Sequence, residues 1–283
     1  MTQPFITLEV MQPSPAVLEK LPPFPAIALK VMRLLRSDEV RLKELSDLIR
    51  ADPSFSAHVL RMANSPLFGF CTEIKGILQA AVLLGAERIK ALAFAAGMQT
   101  YLARPLKIPS LRDCWRHSLA TAVIAERMGH VSLIEEDFAY TAGLLHDVGR
   151  LALMAAQPFR YATLVEAAAE EPIDVLAKER EWFGIDHCEA GRWMLEDWKL
   201  PRVFGVVAAL HHAPLKDNKF EIVALVRASC RMADAVGFAA VQPAASPSVD
   251  EVLGTLPERE ATRFQPYLER ITVDLPLKIS SLE

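Results

Sequence analysis

The chain has 283 residues, of which 52% are hydrophobic and 23% are charged. This composition is typical of a packed globular protein and excludes intrinsic disorder and fibrous repeats. Because 31 basic residues nearly balance 35 acidic ones, no global positive field exists to hold nucleic acid or an anionic membrane, and neither is expected as a partner.

The sequence shows no pattern for membrane insertion or secretion. Charge-free stretches such as 91–103 fall short of the roughly 20 apolar residues that a membrane-spanning helix needs. The start, MTQPFITLEV, has an acidic residue and no basic region, unlike a secretory signal. Scattered cysteines without a CxxC pair predict reduced, mostly buried thiols rather than disulfides or a thiolate zinc site. We therefore expect a cytoplasmic protein.

Helical periodicity dominates the chain and strand-like alternation is nearly absent, which predicts an all-α fold. Ser37 is a candidate N-cap for a helix whose apolar residues recur at three and four places over 42–49. Asp52 followed by Pro53 is typical of the start of a second helix. Apolar stripes at 74–84, 89–96 and 111–129 predict further helices.

The second half of the chain continues in the same way. Asp186 with Glu189 three places later resembles a capping box, and Pro201 places the end of that helix near Leu200. Pro201 can occupy the first turn of the next helix. The Pro/Ala/Ser-rich stretch 241–250 predicts a connector, followed by one short helix over about 257–270 and a tail.

Histidines and carboxylates carry the chemical information. The most specific motif is the pair His146-Asp147 within the segment GLLHDVGR. Side chains of the same ligand type lie on other predicted helices, at His117, His187, His211, His212 and Asp234. Converging imidazoles and carboxylates would suit one or two divalent transition-metal ions, namely iron, manganese, nickel, cobalt or zinc.

Asp113 lies four residues before His117, on the same helical face, and could add an oxygen ligand. A carboxylate such as Asp147 can bridge two ions about 3.5–4 Å apart and leave a bound water acidic enough to attack a phosphoester. The alternatives are that these residues are satisfied buried polar groups or helix ends, or that a second ion is absent. His58 and His130 stand outside the pattern and are interpreted as structural or surface residues.

The order of His117, His146-Asp147, His187, His211-His212 and Asp234 resembles the HD superfamily of metal-dependent phosphohydrolases, in the arrangement of its two-metal members. The segments LPPFPAIALKVM (21–32), DPSF (52–55), LRMANSPLFG (60–69) and AAVLLGAERIKAL (80–92) narrow the likeness to the HDOD domain family, the HD-related output domain of bacterial signalling proteins. The resemblance covers roughly residues 15–240.

This resemblance implies an N-terminal helical subdomain over 15–104 and an HD-type helical bundle over 105–240. Residues 1–14 would be a tail and 241–283 a peripheral extension. It also implies a regulatory output, often without demonstrated catalysis and frequently with metal ligands missing. The present chain keeps ligand-type residues at all the positions named above.

Two departures from the cyclic-di-GMP phosphodiesterases of the superfamily bear on activity. No Gly-Tyr-Pro segment follows His212, so hydrolysis of cyclic-di-GMP is not expected. Arg150 stands where those enzymes usually carry Lys after His-Asp-x-Gly, and it would contact phosphate if the protein is an enzyme, with Asp147 as the other catalytic residue.

Three functions follow as hypotheses. The first is a signal-transduction output module that acts through a protein partner or a small phosphorylated ligand. The second is a metal-dependent phosphohydrolase acting on a nucleotide or cyclic nucleotide. The third is an interaction scaffold in which the metal holds helices together. The N-terminal resemblance favours the first.

Overall fold

The computed structural model describes residues 16–33, 42–70, 72–214, 221–241 and 246–282, and the regular structure in these ranges is entirely helical. The predicted all-α class is therefore confirmed. The candidate N-cap Ser37, the tail 1–14 and Cys71 lie outside the described residues, whereas the other three cysteines are buried and free. No described helix combines the length and the apolar character that crossing a bilayer requires.

In the N-terminal part of the described chain, four short helices pack around one buried helix. Asp52 caps the third helix as predicted, since its Oδ1 accepts a hydrogen bond of 3.0 Å from the backbone N–H of Phe55. After a short 3₁₀ helix (Leu18–Lys20), the helices are α1 (Ala26–Arg33), α2 (Leu42–Arg50), α3 (Pro53–Ala63), α4 (Ile77–Leu84) and α5 (Ala86–Tyr101).

The following bundle is organised around one long helix. A 3₁₀ helix (Pro105–Lys107) leads into α6 (Pro109–Ser132), against which α7 (Glu136–Leu145) and α13 (Ile222–Ala235) pack. The predicted helix over 111–129 is thus confirmed and slightly extended. The other helices of the bundle are α8 (Val148–Ala156), α9 (Pro158–Glu170), α10 (Val175–Phe183), α11 (His187–Asp197) and α12 (Arg202–Leu210).

Two glycines allow the close helix contacts that bring the candidate ligands together. A Cβ at Gly143 on α7 would lie 2.9 Å from the Cα of Ala122 on α6. A Cβ at Gly149 on α8 would overlap the carbonyl oxygen of His187 and the backbone nitrogen of Gly191 on α11. The missing side chains therefore let α7 approach α6 and α8 approach α11.

The sequence signals predict the start of α11 correctly but not its end. Asp186 caps its start, with a hydrogen bond of 2.9 Å from the N–H of Glu189 to Asp186 Oδ1. The helix ends at Asp197, three residues before the expected end, because Lys199 adopts a positive φ of 57°. Pro201 immediately precedes α12 and does not occupy its first turn, which corrects the prediction.

The C-terminal segment contains more helix than the sequence pattern predicted. It forms α14 (Val249–Leu253), α15 (Glu258–Phe264), a 3₁₀ helix (Gln265–Tyr267) and α16 (Leu268–Leu282). The prediction of one short helix and a tail was wrong, since α16 runs through the expected tail and contains Pro276 inside the helix. Buried residues of α15 and α16 join the main core and pack on α6, so this segment covers part of the bundle: Phe264, Ile271, Leu275, Ile279 and Leu282.

Candidate metal centre and adjoining cleft

His146 and Asp147 occupy the tight junction between α7 and α8. Both side chains are buried, at 0% and 1% exposure. His146 Nδ1 donates a hydrogen bond of 2.6 Å to the carbonyl oxygen of Gly143 in the last turn of α7. This hydrogen bond fixes the imidazole orientation and leaves Nε2 to face the interior as a potential ligand.

His211 is oriented in the same manner from the end of α12. Its Nδ1 donates to the carbonyl oxygen of Ala208 at 2.8 Å, and its Nε2 lies 3.5 Å from Asp147 Oδ1. Neither Asp147 Oδ1 nor His211 Nε2 has a hydrogen-bond partner among the described residues, although both atoms are buried. Buried polar atoms without partners are costly, so this pair indicates that a further group belongs between them.

His117 reaches the cluster from α6. Its Nε2 lies 3.3 Å from His146 Nε2 and 3.4 Å from Cys230 Sγ. Its Nδ1 donates to the carbonyl oxygen of Phe238 at 2.8 Å and lies 3.3 Å from Asp234 Oδ1. Asp234 therefore sits behind the His117 ring, where it orients the imidazole, and not beside the ligand atoms at the centre.

His187 begins α11 and is held by Glu179 of α10. Its Nδ1 donates to Glu179 Oε2 at 2.6 Å, and the same carboxylate oxygen accepts the backbone N–H of His187 at 2.8 Å. His187 Nε2 lies 3.4 Å from Asp147 Oδ1. His212 stands beside it, with ring centroids 5.1 Å apart, and is exposed at the edge of the cluster.

The Arg150 side chain is part of this cluster, and it also lines the cleft described below. Its guanidinium is buried and donates three hydrogen bonds, to Asp147 Oδ2 at 2.6 Å, to Tyr161 Oη at 3.0 Å and to His187 Nε2 at 3.1 Å. Tyr161 in turn donates to Glu179 at 2.5 Å. Arg150 is thus a fixed internal cation that links Asp147 to α9, α10 and α11.

Burial and charge set the protonation of the central groups. Burial by itself would raise the pKa of the Asp147 carboxyl, but the charge of the adjacent Arg150 guanidinium outweighs it and holds that pKa well below its usual range. Burial lowers the pKa of His146 and of His211 below the usual histidine value. At neutral pH the centre therefore offers a carboxylate and two neutral imidazoles, which is the form that binds a metal ion.

Three groups of neighbouring ligand atoms arise from this geometry, each with its atoms within 4.8 Å of one another. They are His146, Asp147 and His211; His117, His146 and Cys230; and His187, Cys188 and His211. The first group contains the two unpartnered atoms and combines nitrogen with oxygen donors, so it fits a divalent transition-metal ion. Such an ion, when bound, would act as a Lewis acid that lowers the pKa of a bound water.

Two sequence predictions need adjustment at this centre. Asp113 lies on the outer side of α6, half-exposed and 3.6 Å from Arg116, so the structure does not bring it to the cluster. Cys230 and Glu179 belong to the centre but were not singled out. The thiol was interpreted as a small buried hydrophobe, and the carboxylate lies in a charged helical stretch with no distinguishing spacing. Only the packing of α10 and α13 reveals them.

A cleft of about 340 Å³ opens beside the cluster. Cluster residues form one of its walls, and Asp174 together with apolar side chains forms the rest. Its lining residues are His117, Arg150, Ile173, Asp174, Val175, Leu176, His187, His212, Cys230, Asp234, Ala240 and Val241. A small molecule in this cleft would contact the ring of His212 and the outer edge of the cluster.

Solved structures share this architecture. An HDOD domain protein of unknown function from Geobacter sulfurreducens is 24% identical, with a TM-score of 0.71, over 90% of this chain and 92% of its own. A protein described as a candidate phosphohydrolase from Shewanella amazonensis is 20% identical, with a TM-score of 0.72, over 95% and 98% of the two chains. The MmoQ response regulator of Methylococcus capsulatus is 27% identical, with a TM-score of 0.50, over 87% and 95%.

A relative known from sequence comes from Treponema pallidum and has no assigned function. It is 23% identical over an alignment of 209 residues, which covers 72% of this chain and 40% of that longer protein. The profile of the HDOD domain matches residues 21–214, the larger part of the chain. Together with the helical fold and the histidine cluster, this match shows that the chain belongs to the HDOD domain family.

Proposed function

We propose that the protein is a regulatory output module of a signalling pathway. In this proposal the histidine cluster binds one divalent transition-metal ion. The adjoining cleft or a surface nearby receives a ligand or protein partner. The observation that carries this proposal is the position of Arg150. Its guanidinium bonds Asp147 and His187 inside the cluster, where a second ion would otherwise find its ligands. The likeness to the MmoQ response regulator supports a signalling role.

The positive charge of Arg150 and the number of ligand atoms left available favour one bound ion rather than two. Asp147 Oδ2 and His187 Nε2 are both engaged by Arg150, so a second ion would have to displace a buried guanidinium and sit beside its positive charge. The first ion has His146, His211 and Asp147 Oδ1 as ligands, with His117 and Cys230 adjacent. Asp234 and Glu179 hold His117 and His187 from behind.

A metal-dependent phosphohydrolase is the second candidate, favoured by the cleft of about 340 Å³ that reaches the cluster. In such an enzyme the ion would supply an acidic water, and Asp147 would hold both the ion and Arg150. Three of the five guanidinium N–H groups of Arg150 are used within the protein and its side chain lines the cleft, so substrate phosphate would contact the remaining N–H groups or other partners such as His212 at the cleft wall. The phosphate contact expected of Arg150 stays a prediction.

Elemental analysis of protein purified without a metal-binding tag tests the metal proposal. We expect about one transition-metal ion per chain in the wild type, and its loss in His146→Ala and His211→Ala. His130→Ala is the matched control, because His130 lies at the surface and pairs with Glu136. Two ions per chain would contradict the role given to Arg150, and none after anaerobic reconstitution would overturn the metal site.

Function is tested on the same set of proteins. A partner or ligand that binds the wild type and loses affinity in His146→Ala, without turnover of phosphoesters, would support the regulatory module. Turnover of a nucleotide or cyclic nucleotide by metal-loaded wild type, absent in His146→Ala and retained in His130→Ala, would instead establish the phosphohydrolase.

A further inference from the structure

A second cavity, of about 410 Å³, lies where the N-terminal subdomain meets α6. It shares no lining residue with the cleft beside the histidine cluster. We call it the basic cavity, and its lining residues are His58, Arg61, Gln99, Leu106, Arg112, Trp115 and Arg116. No acidic side chain is among them.

Helical spacing explains why so many cations line one space. Arg112, Trp115 and Arg116 are three and four residues apart on α6, so their side chains share one face of that helix. His58 and Arg61 are three residues apart on α3 and face them across the cavity. Three guanidinium groups and an imidazole thus converge from two helices.

The positive charge of this cavity is only partly balanced. Arg61 donates to the amide oxygen of Gln99 at 3.3 Å, and Arg112 donates to the carbonyl oxygen of Leu106 at 2.9 Å, and both acceptors are uncharged. Arg116 has an acidic neighbour, Asp113, at 3.6 Å. The whole chain carries a formal charge of −4, so this cavity is locally positive in a protein that is negatively charged overall.

Two further observations concern the groups at the cavity wall. Trp115 is buried at 1% exposure, and its indole N–H has no hydrogen-bond partner among the described residues. Burial and the nearby Arg61 lower the pKa of His58, as expected in a positive local field. An anion in the cavity would supply acceptors for the guanidinium groups and would relieve the mutual repulsion of the cations.

We propose that the basic cavity is a second ligand site, which binds a small phosphorylated anion with at least two negative charges. Guanidinium groups match phosphate oxygens in geometry and charge, and the cavity volume exceeds that of a single phosphate group. The ligand could be a free phosphate species or a nucleotide, since both present the same charged oxygens. This proposal does not depend on a metal ion at the histidine cluster.

Isothermal titration calorimetry with pyrophosphate and with ADP tests this proposal. The protein is first treated with EDTA, so that neither probe can bind through a metal ion. We expect saturable binding at low salt that weakens as salt rises. Arg61→Gln and Arg112→Gln should each weaken binding at least tenfold, and both positions are solvent-exposed, so the variants should fold. Circular dichroism melting checks folding.

Arg202→Gln is the matched control, because Arg202 is exposed at the start of α12 and outside the cavity. It should bind both probes as the wild type does. Tighter binding of ADP than of pyrophosphate would identify a nucleotide-type ligand, and equal binding would identify the phosphate groups alone. Absence of binding to the wild type, or equal binding by the folded arginine variants, would overturn the proposal.

Discussion

At the residue scale, the pair of Arg150 and Asp147 dominates the centre. Both side chains are almost fully buried, and Arg150 has three partners that would each lose a hydrogen bond if it were removed. Removing one partner of a buried ion pair is costly, because the remaining charge is left in a poorly polarisable interior. The sequence pointed to Arg150 as a residue of interest, and the structure assigns it to the centre itself.

Arg150→Met should lower the free energy of unfolding by about 3–5 kcal/mol, because Asp147 and Glu179 would lose their buried cation. Urea denaturation of metal-free protein measures this change. Arg192→Ala removes an exposed arginine that pairs with Glu196 on one face of α11, and should cost below about 1 kcal/mol. Similar losses in both variants would contradict the structural role of Arg150.

The buried histidines predict acid sensitivity. Burial lowers the pKa of His211 in the folded protein, so its contribution to stability is present above its unfolded pKa and is lost as the pH falls. The wild type and His211→Asn are compared as metal-free protein at pH 6 and pH 5. Over this pH unit, the free energy of unfolding should fall by about 1 kcal/mol more in the wild type than in the variant. Urea denaturation at several pH values measures both slopes.

His130→Gln is the control for this pH experiment, since His130 is an exposed residue paired with Glu136. The pH dependence of the free energy of unfolding of this variant should match that of the wild type. Parallel slopes for wild type and His211→Asn would show that His211 takes up a proton in the folded state, against the burial argument.

At the element scale, the contact between α8 and α11 decides whether the ligands meet. Asp147 precedes α8 and His187 begins α11, so the spacing of these two helices sets the distance between the side chains. Gly149 and Gly191 face each other at this contact and leave no room for a methyl group on Gly149. The glycine in GLLHDVGR therefore serves helix packing.

Gly149→Ala should destabilise the protein by about 2 kcal/mol or more, because the added methyl group would overlap backbone atoms of α11 that cannot move independently. Thermal unfolding gives the stability, and metal content shows whether the ligands still meet. Gly205→Ala is the matched control, because its nearest neighbours lie 3.9 Å away and alanine favours helix. Equal effects in the two variants would contradict the close approach.

At the scale of the whole molecule, the C-terminal helices complete the core. The sequence treats 241–283 as a peripheral extension, yet α15 and α16 bury apolar side chains against α6. The stripe Ile271, Leu275 and Ile279 has helical spacing and could have been recognised in the sequence, but Pro276 interrupts it. Because α6 also carries His117 and one wall of the basic cavity, these helices support both candidate sites from behind.

Leu275→Ala should lower the free energy of unfolding by about 2–4 kcal/mol, because Leu275 is 1% exposed and its removal leaves a cavity under α16. Leu277→Ala on the same helix is the matched control, since Leu277 is 68% exposed and should change stability by less than about 1 kcal/mol. Urea denaturation compares the two. A small loss in Leu275→Ala would mean that α16 is peripheral after all.

The sequence by itself determined the helical class, the starts of α3 and α11 and the candidate ligands, because helix periodicity, N-caps and proline positions act within a few residues of the chain. Asp52, Asp186 and the stripe along α6 follow these local rules. The tertiary structure decided the roles of individual ligands: Asp234 lies behind His117, Arg150 lies within the cluster, and Cys230 and Glu179 join it. These positions depend on how distant helices pack, and no local spacing encodes that packing.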